Sequence, residues 1–427
     1  MIKIFFLVAS MLFFVGCTPS ELKPEQSNKK TFQDEDSYIL FGLRAEELHD
    51  YKTASDIFMT LYVKSNKKEY LYRSFENDLV AKKYAKVVER VDILEKDMPF
   101  DAFLTRFKVI SLIELGELEQ ALALSLVLTQ KTEKADDYLL TSEIYLKRQE
   151  YELALHYLED AYKEKHNEKL VDKIALILYT NLGKKEEAIT KLETHSRVLG
   201  CSELICARLA VFYANSSNLD ALLATYLRLY ELNKNPQIAD KIVQIYQYKK
   251  EYILLVSFLE KSGVNNHLLL QLYSGAKNYK KAAVLAQKLY NESGEIDYLG
   301  ESAIYEYEGA EGIKDKKLLN SVVSKLEKVV LSGDKPLYLN YLGYLLIDHE
   351  IDVDQGVKYI QEVLKIKPDS AYYLDSLAWG YYKQGKCKAA QKIMNRVMKL
   401  DGAEEAEVQS HIKVIDQCIK NKKRGKK

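Results

Sequence analysis

Tyrosines recur along this chain at steps of 33 or 34 residues: Tyr145, Tyr179, Tyr213 and Tyr246. Nine places after each stands a small or apolar residue (Ala154, Ala188, Leu222, Leu255), and four later a large one (Leu158, Leu192, Tyr226, Leu259). A period of this length marks stacked helix pairs, in which no repeat buries its apolar face alone and each neighbour completes the core of the next. The chain is therefore expected to be an all-α array. Such arrays offer an extended concave surface, and binding is their default use.

Composition agrees with that expectation. A length of 427 residues exceeds one compact core and suits an array. Only 6 prolines and 18 glycines leave few places to break helices. Basic and acidic residues number 62 each, so no bulk field steers the chain toward nucleic acid. The 32 tyrosines fit between helices, where the ring packs and the hydroxyl stays wet.

The first residues read as an address. Lys3 precedes a short apolar run from Ile4 to Val15, too short for a membrane span and right for an export signal. Phe14-Val15-Gly16-Cys17 resembles the lipobox of bacterial lipoproteins, although Phe14 replaces the usual aliphatic residue. The resemblance implies a signal peptide over 1–16, cleavage before Cys17, and acyl chains on that cysteine. Several chains at ~0.8 kcal/mol per buried methylene make such an anchor practically permanent. Residues 17–36 are polar and aperiodic, hence a flexible tether. Thr18 after the cysteine, by resemblance to Gram-negative lipoproteins, implies the periplasmic face of the outer membrane.

Within the array, one stretch reads Leu374, Leu377-Ala378, Tyr381, Gly385, Cys387, Ala390, Met394 and Val397. The copy before it has Leu342-Gly343, Leu346, Ile360 and Pro368. These residues resemble the tetratricopeptide repeat, with Cys387 in place of an aromatic and Gly402 in place of a proline. The resemblance implies a right-handed α-solenoid of about eleven helix-turn-helix repeats. Residues 37–259 form an N-terminal array, and 336–402 a C-terminal pair. Between them, residues 260–335 break the rhythm: Tyr246 to Tyr273 is only 27 residues, and Gly309-Ala310-Glu311-Gly312 interrupts a helical pattern. They are read as a joint or as degenerate but regular repeats. Residues 403–420 form an amphipathic capping helix through Val408, Ile412, Ile415 and Ile419. Residues 421–427 form a basic tail, a solvated end or a contact for anionic envelope surfaces.

Setting Cys17 aside leaves four cysteines in an oxidising compartment. Cys387 opens the last repeat's second helix and Cys418 falls near the end of the cap. Successive helices run antiparallel, so these ends should meet and a Cys387–Cys418 disulfide is expected. Cys201 and Cys206 form a second candidate pair, although regular helix would separate them. Four buried thiols are the alternative.

Motifs for catalysis are nearly absent. His349-Glu350 is the only His-Glu pair, and no second His follows at zinc-protease spacing. Neither a Walker loop, a G-x-S-x-G elbow nor a G-x-G-x-x-G turn occurs. No enzymatic activity, cofactor or metal is expected. Groove positions carried over from the tetratricopeptide family fall on Asn340, Tyr344, Asp375, Trp379, Tyr382 and Lys383, which include the single Trp. Aromatic anchors beside polar groups suit a peptide hot spot, while packing between helices is the competing role for Trp379 and Tyr344. The expected function is a lipid-anchored scaffold for protein or peptide partners in the periplasm, serving an envelope, secretion or motility complex. A peptidoglycan- or peptide-binding regulator or carrier is the alternative.

Overall fold

The structure, a computed structural model, describes residues 30–96, 98, 100–310, 315–333 and 335–424. The signal segment, Cys17, residues 17–29 of the tether and residues 425–427 of the tail lie outside the described residues. Twenty-three α-helices and no strand occur among the described residues.

They read as eleven consecutive helix pairs and one closing helix. The first six pairs are α1 (Glu35–Glu47) with α2 (Tyr51–Ser65), α3 (Lys68–Val80) with α4 (Tyr84–Leu94), and α5 (Ala102–Leu115) with α6 (Leu118–Thr132). Then come α7 (Ala135–Lys147) with α8 (Tyr151–Glu164), α9 (Glu168–Thr180) with α10 (Lys185–Leu199), and α11 (Glu203–Asn215) with α12 (Leu219–Asn233). The next three are α13 (Pro236–Lys249) with α14 (Tyr252–Ser262), α15 (Asn266–Gly275) with α16 (Tyr279–Ser293), and α17 (Ile296–Glu308) with α18 (Lys316–Val330). The last two are α19 (Pro336–Asp348) with α20 (Val353–Ile366) and α21 (Ala371–Lys383) with α22 (Cys387–Val397), followed by α23 (Ala406–Arg424). The fold is an all-α solenoid of tetratricopeptide-like pairs.

Local chemistry sets the helix starts. Side chains of Asp50, Asp101, Asn167, Ser202 and Ser370 each accept a bond from a first-turn amide, replacing an orphan partner at the helix N-terminus. Pro236 and Pro336 open their helices, where a missing N–H costs nothing. The turn inside the pair repeats one backbone state in ten of the eleven pairs. His49, Lys82, Gly116, Gln149, Gly183, Ser217, Lys250, Lys277, Glu350 and Gly385 all sit there with φ between 52° and 82°. Their spacing is the same 33- or 34-residue beat until the short α15.

The chain divides into two compact units, residues 1–229 and 230–427. In the first, the periodic residues do the packing: Ala154, Leu158, Ala188 and Leu192 are fully buried. Tyr179 of α9 stacks on Phe212 of α11 with centroids 3.9 Å apart. Arg106 of α5 grips the buried Asp137 of α7 through two bonds of 2.6 and 2.8 Å. Arg208 of α11 holds Asp172 of α9 the same way. First helices of successive pairs are thus tied by both rings and forked ion pairs.

In the second unit, residues 260–335 hold regular helices apart from the undescribed 311–314 and 334. The 27-residue step arises because α14 has 11 residues and α15 has 10. Leu299, Ala303, Leu319, Val322, Leu326, Tyr338 and Leu342 form one continuous core there. The division into units falls inside α12, at 229/230, and not at 260. Two bounds also shift. Helix α1 begins at Glu35, inside the stretch read as tether, because Glu35 is buried and bonded to Thr31 N, Lys67 and Tyr70. The closing helix runs to Arg424, four residues past the expected 420 and into the tail.

Candidate functional site

The groove residues named from sequence lie on α19 and α21, where glycines bring helices close. A Cβ on Gly356 would meet the Gly343 carbonyl oxygen at 2.6 Å, and one on Gly380 would meet Val357 Cγ2 at 2.6 Å. Helices α19 and α20 are therefore held at backbone contact, and α21 closes directly on the Val357 side chain of α20. This rigid base fixes where the side chains of α19 and α21 point.

The closing helix α23 covers three of the six, Tyr344, Asp375 and Trp379. Trp379 stacks on His411 with centroids 4.1 Å apart and on Tyr382 at 4.9 Å, and its indole N–H donates to Asp348 at 2.9 Å. Asp375 is buried and lies 2.9 and 3.1 Å from His411 Nδ1. Tyr344 donates to Glu407 of α23, and burial followed by that bond pushes its hydroxyl pKa well up. Lys383 bonds Glu350 at 2.8 Å and the Asp348 carbonyl at 3.1 Å. Asn340 is fully buried, and neither of its amide atoms has a partner. The structure thus brings Tyr344, Asp375, Trp379 and Tyr382 together, but as a cluster closed over His411. Trp379 takes the packing role.

His411 and Glu407 are the residues that sequence reasoning missed. Treating α23 as one more first helix would have found them, since His411 follows Asp375 by 36 residues, close to one repeat.

Beside the closed cluster a cavity of about 650 Å³ stays open between the starts of α21 and α23. Tyr344, Tyr372, Asp375, Asp401, Glu405 and Glu407 are among its lining. Asp369 also lines it, and no Lys or Arg does. The arrangement can accept a cationic or hydrogen-bond-donating group against a partly apolar wall of Leu400 and Val408. It offers no nucleophile paired with a base. Two further cavities lie elsewhere, about 760 Å³ along α16 to α18 and about 480 Å³ by Tyr162, His166 and His195. Burial lowers the His195 pKa, and its Nδ1 lies 2.7 Å from the Tyr162 hydroxyl.

Both cysteine pairs meet: Cys201 with Cys206 at a Cα separation of 5.5 Å, and Cys387 with Cys418 at 6.0 Å. The first is reachable because Cys201 precedes α11, whose regular turns start at Glu203. Among the described residues, no group of three or more His, Cys, Asp or Glu is arranged to hold a metal. No described helix is long and apolar enough to cross a membrane.

No family model matches the chain. It is similar to TPR repeat-containing protein PA4667 of Pseudomonas aeruginosa, 32% identical over 66 residues, which are 16% of this chain and 11% of that protein. Among solved structures, the Cut9–Hcn1 hetero-tetramer of the APC/C aligns over 91% of this chain and 84% of its own, at 12% identity and TM-score 0.34. The P58(IPK) TPR domain aligns over 91% and 99%, at 12% identity and TM-score 0.26. Scores this low carry no argument, so the fold rests on the helix pairs themselves. Those pairs show an all-α helix-pair fold, and the 66-residue stretch is similar to part of a TPR repeat-containing protein, of whose length this chain matches 11%.

Proposed function

We propose that this chain is a lipid-anchored scaffold of the bacterial envelope, facing the periplasm from the outer membrane and holding protein partners there. Eleven helix pairs give it length and surface and leave little sequence for a catalytic site. The lipobox-like Phe14-Val15-Gly16-Cys17 supports the anchor, and the acidic cavity beside α23 is the contact best suited to a partner's basic side chain. That cavity is the observation carrying the reading. It is open, chemically distinct and built on helices locked by glycine contacts.

Crosslinking in whole cells followed by capture of the tagged chain tests it. A stable protein partner is expected. Asp401→Asn with Glu405→Gln should weaken its capture about tenfold, the scale of a lost charge-assisted bond. Recovery of glycan fragments alone, or undiminished capture by the double variant, would overturn the reading.

A further inference from the structure

The terminal pair and closing helix carry charge of opposite sign on separate surfaces. Residues 386–399 contain Lys386, Lys388, Lys392, Arg396 and Lys399 and no carboxylate. On α22 the steps from Lys388 to Lys392 and Arg396, and the step to Lys399 just past its end, are four, four and three residues. At 3.6 residues per turn they share one face. All four are exposed. Helix α23 presents Lys413 and Lys420 likewise; of its two acidic residues, Glu407 accepts from Tyr344 at the helix start and Asp416 accepts from Gln391 of α22 at 3.1 Å. Arg396 contacts Asp369 at 3.1 Å. Among the described residues, Lys388, Lys392, Lys399, Lys413 and Lys420 have no ion-pair partner. The sequence then adds Lys422, Lys423, Arg424, Lys426 and Lys427. In a chain with zero net charge this is a marked segregation.

We infer that the α22–α23 face is a docking surface for an anionic phospholipid bilayer, its lysines meeting headgroup phosphates. Charge complementarity selects a polyanion, and two features select a membrane. Met398, half exposed between Arg396 and Lys399, offers an apolar side chain to insert beside the cations. Neither helix carries Phe, Tyr or Trp, so the face lacks the rings on which single-stranded nucleic acid stacks. The inference rests on the membrane-anchored reading above and adds a second, reversible contact governed by charge. Each cation near such a surface strengthens binding about fivefold.

The test is sedimentation of the full chain with vesicles of phosphatidylcholine alone and with equal parts phosphatidylglycerol. The ratio of the two affinities removes any contribution of the N-terminal segment, which is common to both. The wild-type chain should prefer anionic vesicles, and the preference should fade as salt rises from ~0.1 to ~0.5 M. Lys388→Gln, Lys392→Gln and Lys399→Gln together should cut the preference about tenfold or more, with the melting curve unchanged. Equal binding to both vesicles, or a preference indifferent to salt, would overturn the inference whatever the variant does. Retention of the preference by the triple variant would remove the face from it, and tighter binding to duplex DNA than to vesicles would replace the membrane. Metabolic acyl labelling at Cys17 reads the anchor separately, so failure of one leaves the other standing.

Discussion

Glu35 shows how one side chain can hold an array's first pair. Burial alone would raise its pKa, but Lys67, the Thr31 amide and Tyr70 all bond its carboxylate and hold it down at about 2. A carboxyl whose folded pKa lies below its unfolded one adds stability that is complete above the unfolded value. That stability is lost as pH falls through the folded value. Unfolding of the first pairs should therefore become easier between about pH 4.5 and 2. Glu35→Gln should flatten that slope, as a thermal melt across the window would show. Residue-scale legibility was uneven. The Tyr, Ala and Leu of the beat were readable because packing fixes their spacing. The pairing of Trp379 with His411 was not, because it depends on how α23 lies over α21. Asn340, read as a groove residue, is buried instead.

Helix-to-helix contact is where glycine matters most. Gly356 faces the Gly343 carbonyl, a backbone atom that cannot turn aside. Gly356→Ala should push α20 from α19 and destabilise by about 1–3 kcal/mol, measurable as a lower urea midpoint with an unchanged slope. The closing helix depends on a different device. Reducing the Cys387–Cys418 bridge, 31 residues apart, should cost about 3–4 kcal/mol on the chain-entropy account. Peptide mapping without reductant should recover both linked pairs, and four free thiols would refute them. Cys387 opens α22 where the spacing put it, whereas Cys418 lies six residues short of the end of α23, which runs further than expected. Sequence could not set the length of α15, because helix shortening leaves no signature beyond an irregular interval.

At the scale of the molecule, each pair touches mainly its neighbours, so stability is a sum of local terms. The single Trp lies in the last pair, whereas helical ellipticity reports on every helix. Urea transitions followed by Trp fluorescence and by far-ultraviolet circular dichroism should fail to coincide, and coincidence would mean the array unfolds as one block. Most of this architecture was legible, since a 34-residue period admits few solutions. The acidic cavity was not, because its lining comes from helix starts separated by a whole repeat. One further consequence lies in the turns within pairs. Seven of them place a residue with a side chain (His49, Lys82, Gln149, Ser217, Lys250, Lys277 and Glu350) in the left-handed backbone state that glycine occupies in three others. Each such side chain costs about 1 kcal/mol that glycine would largely spare. These seven turns are thus a set of independent dials for adaptation to temperature, each in its own pair, which a lineage could reset singly while every packed surface stayed as it is.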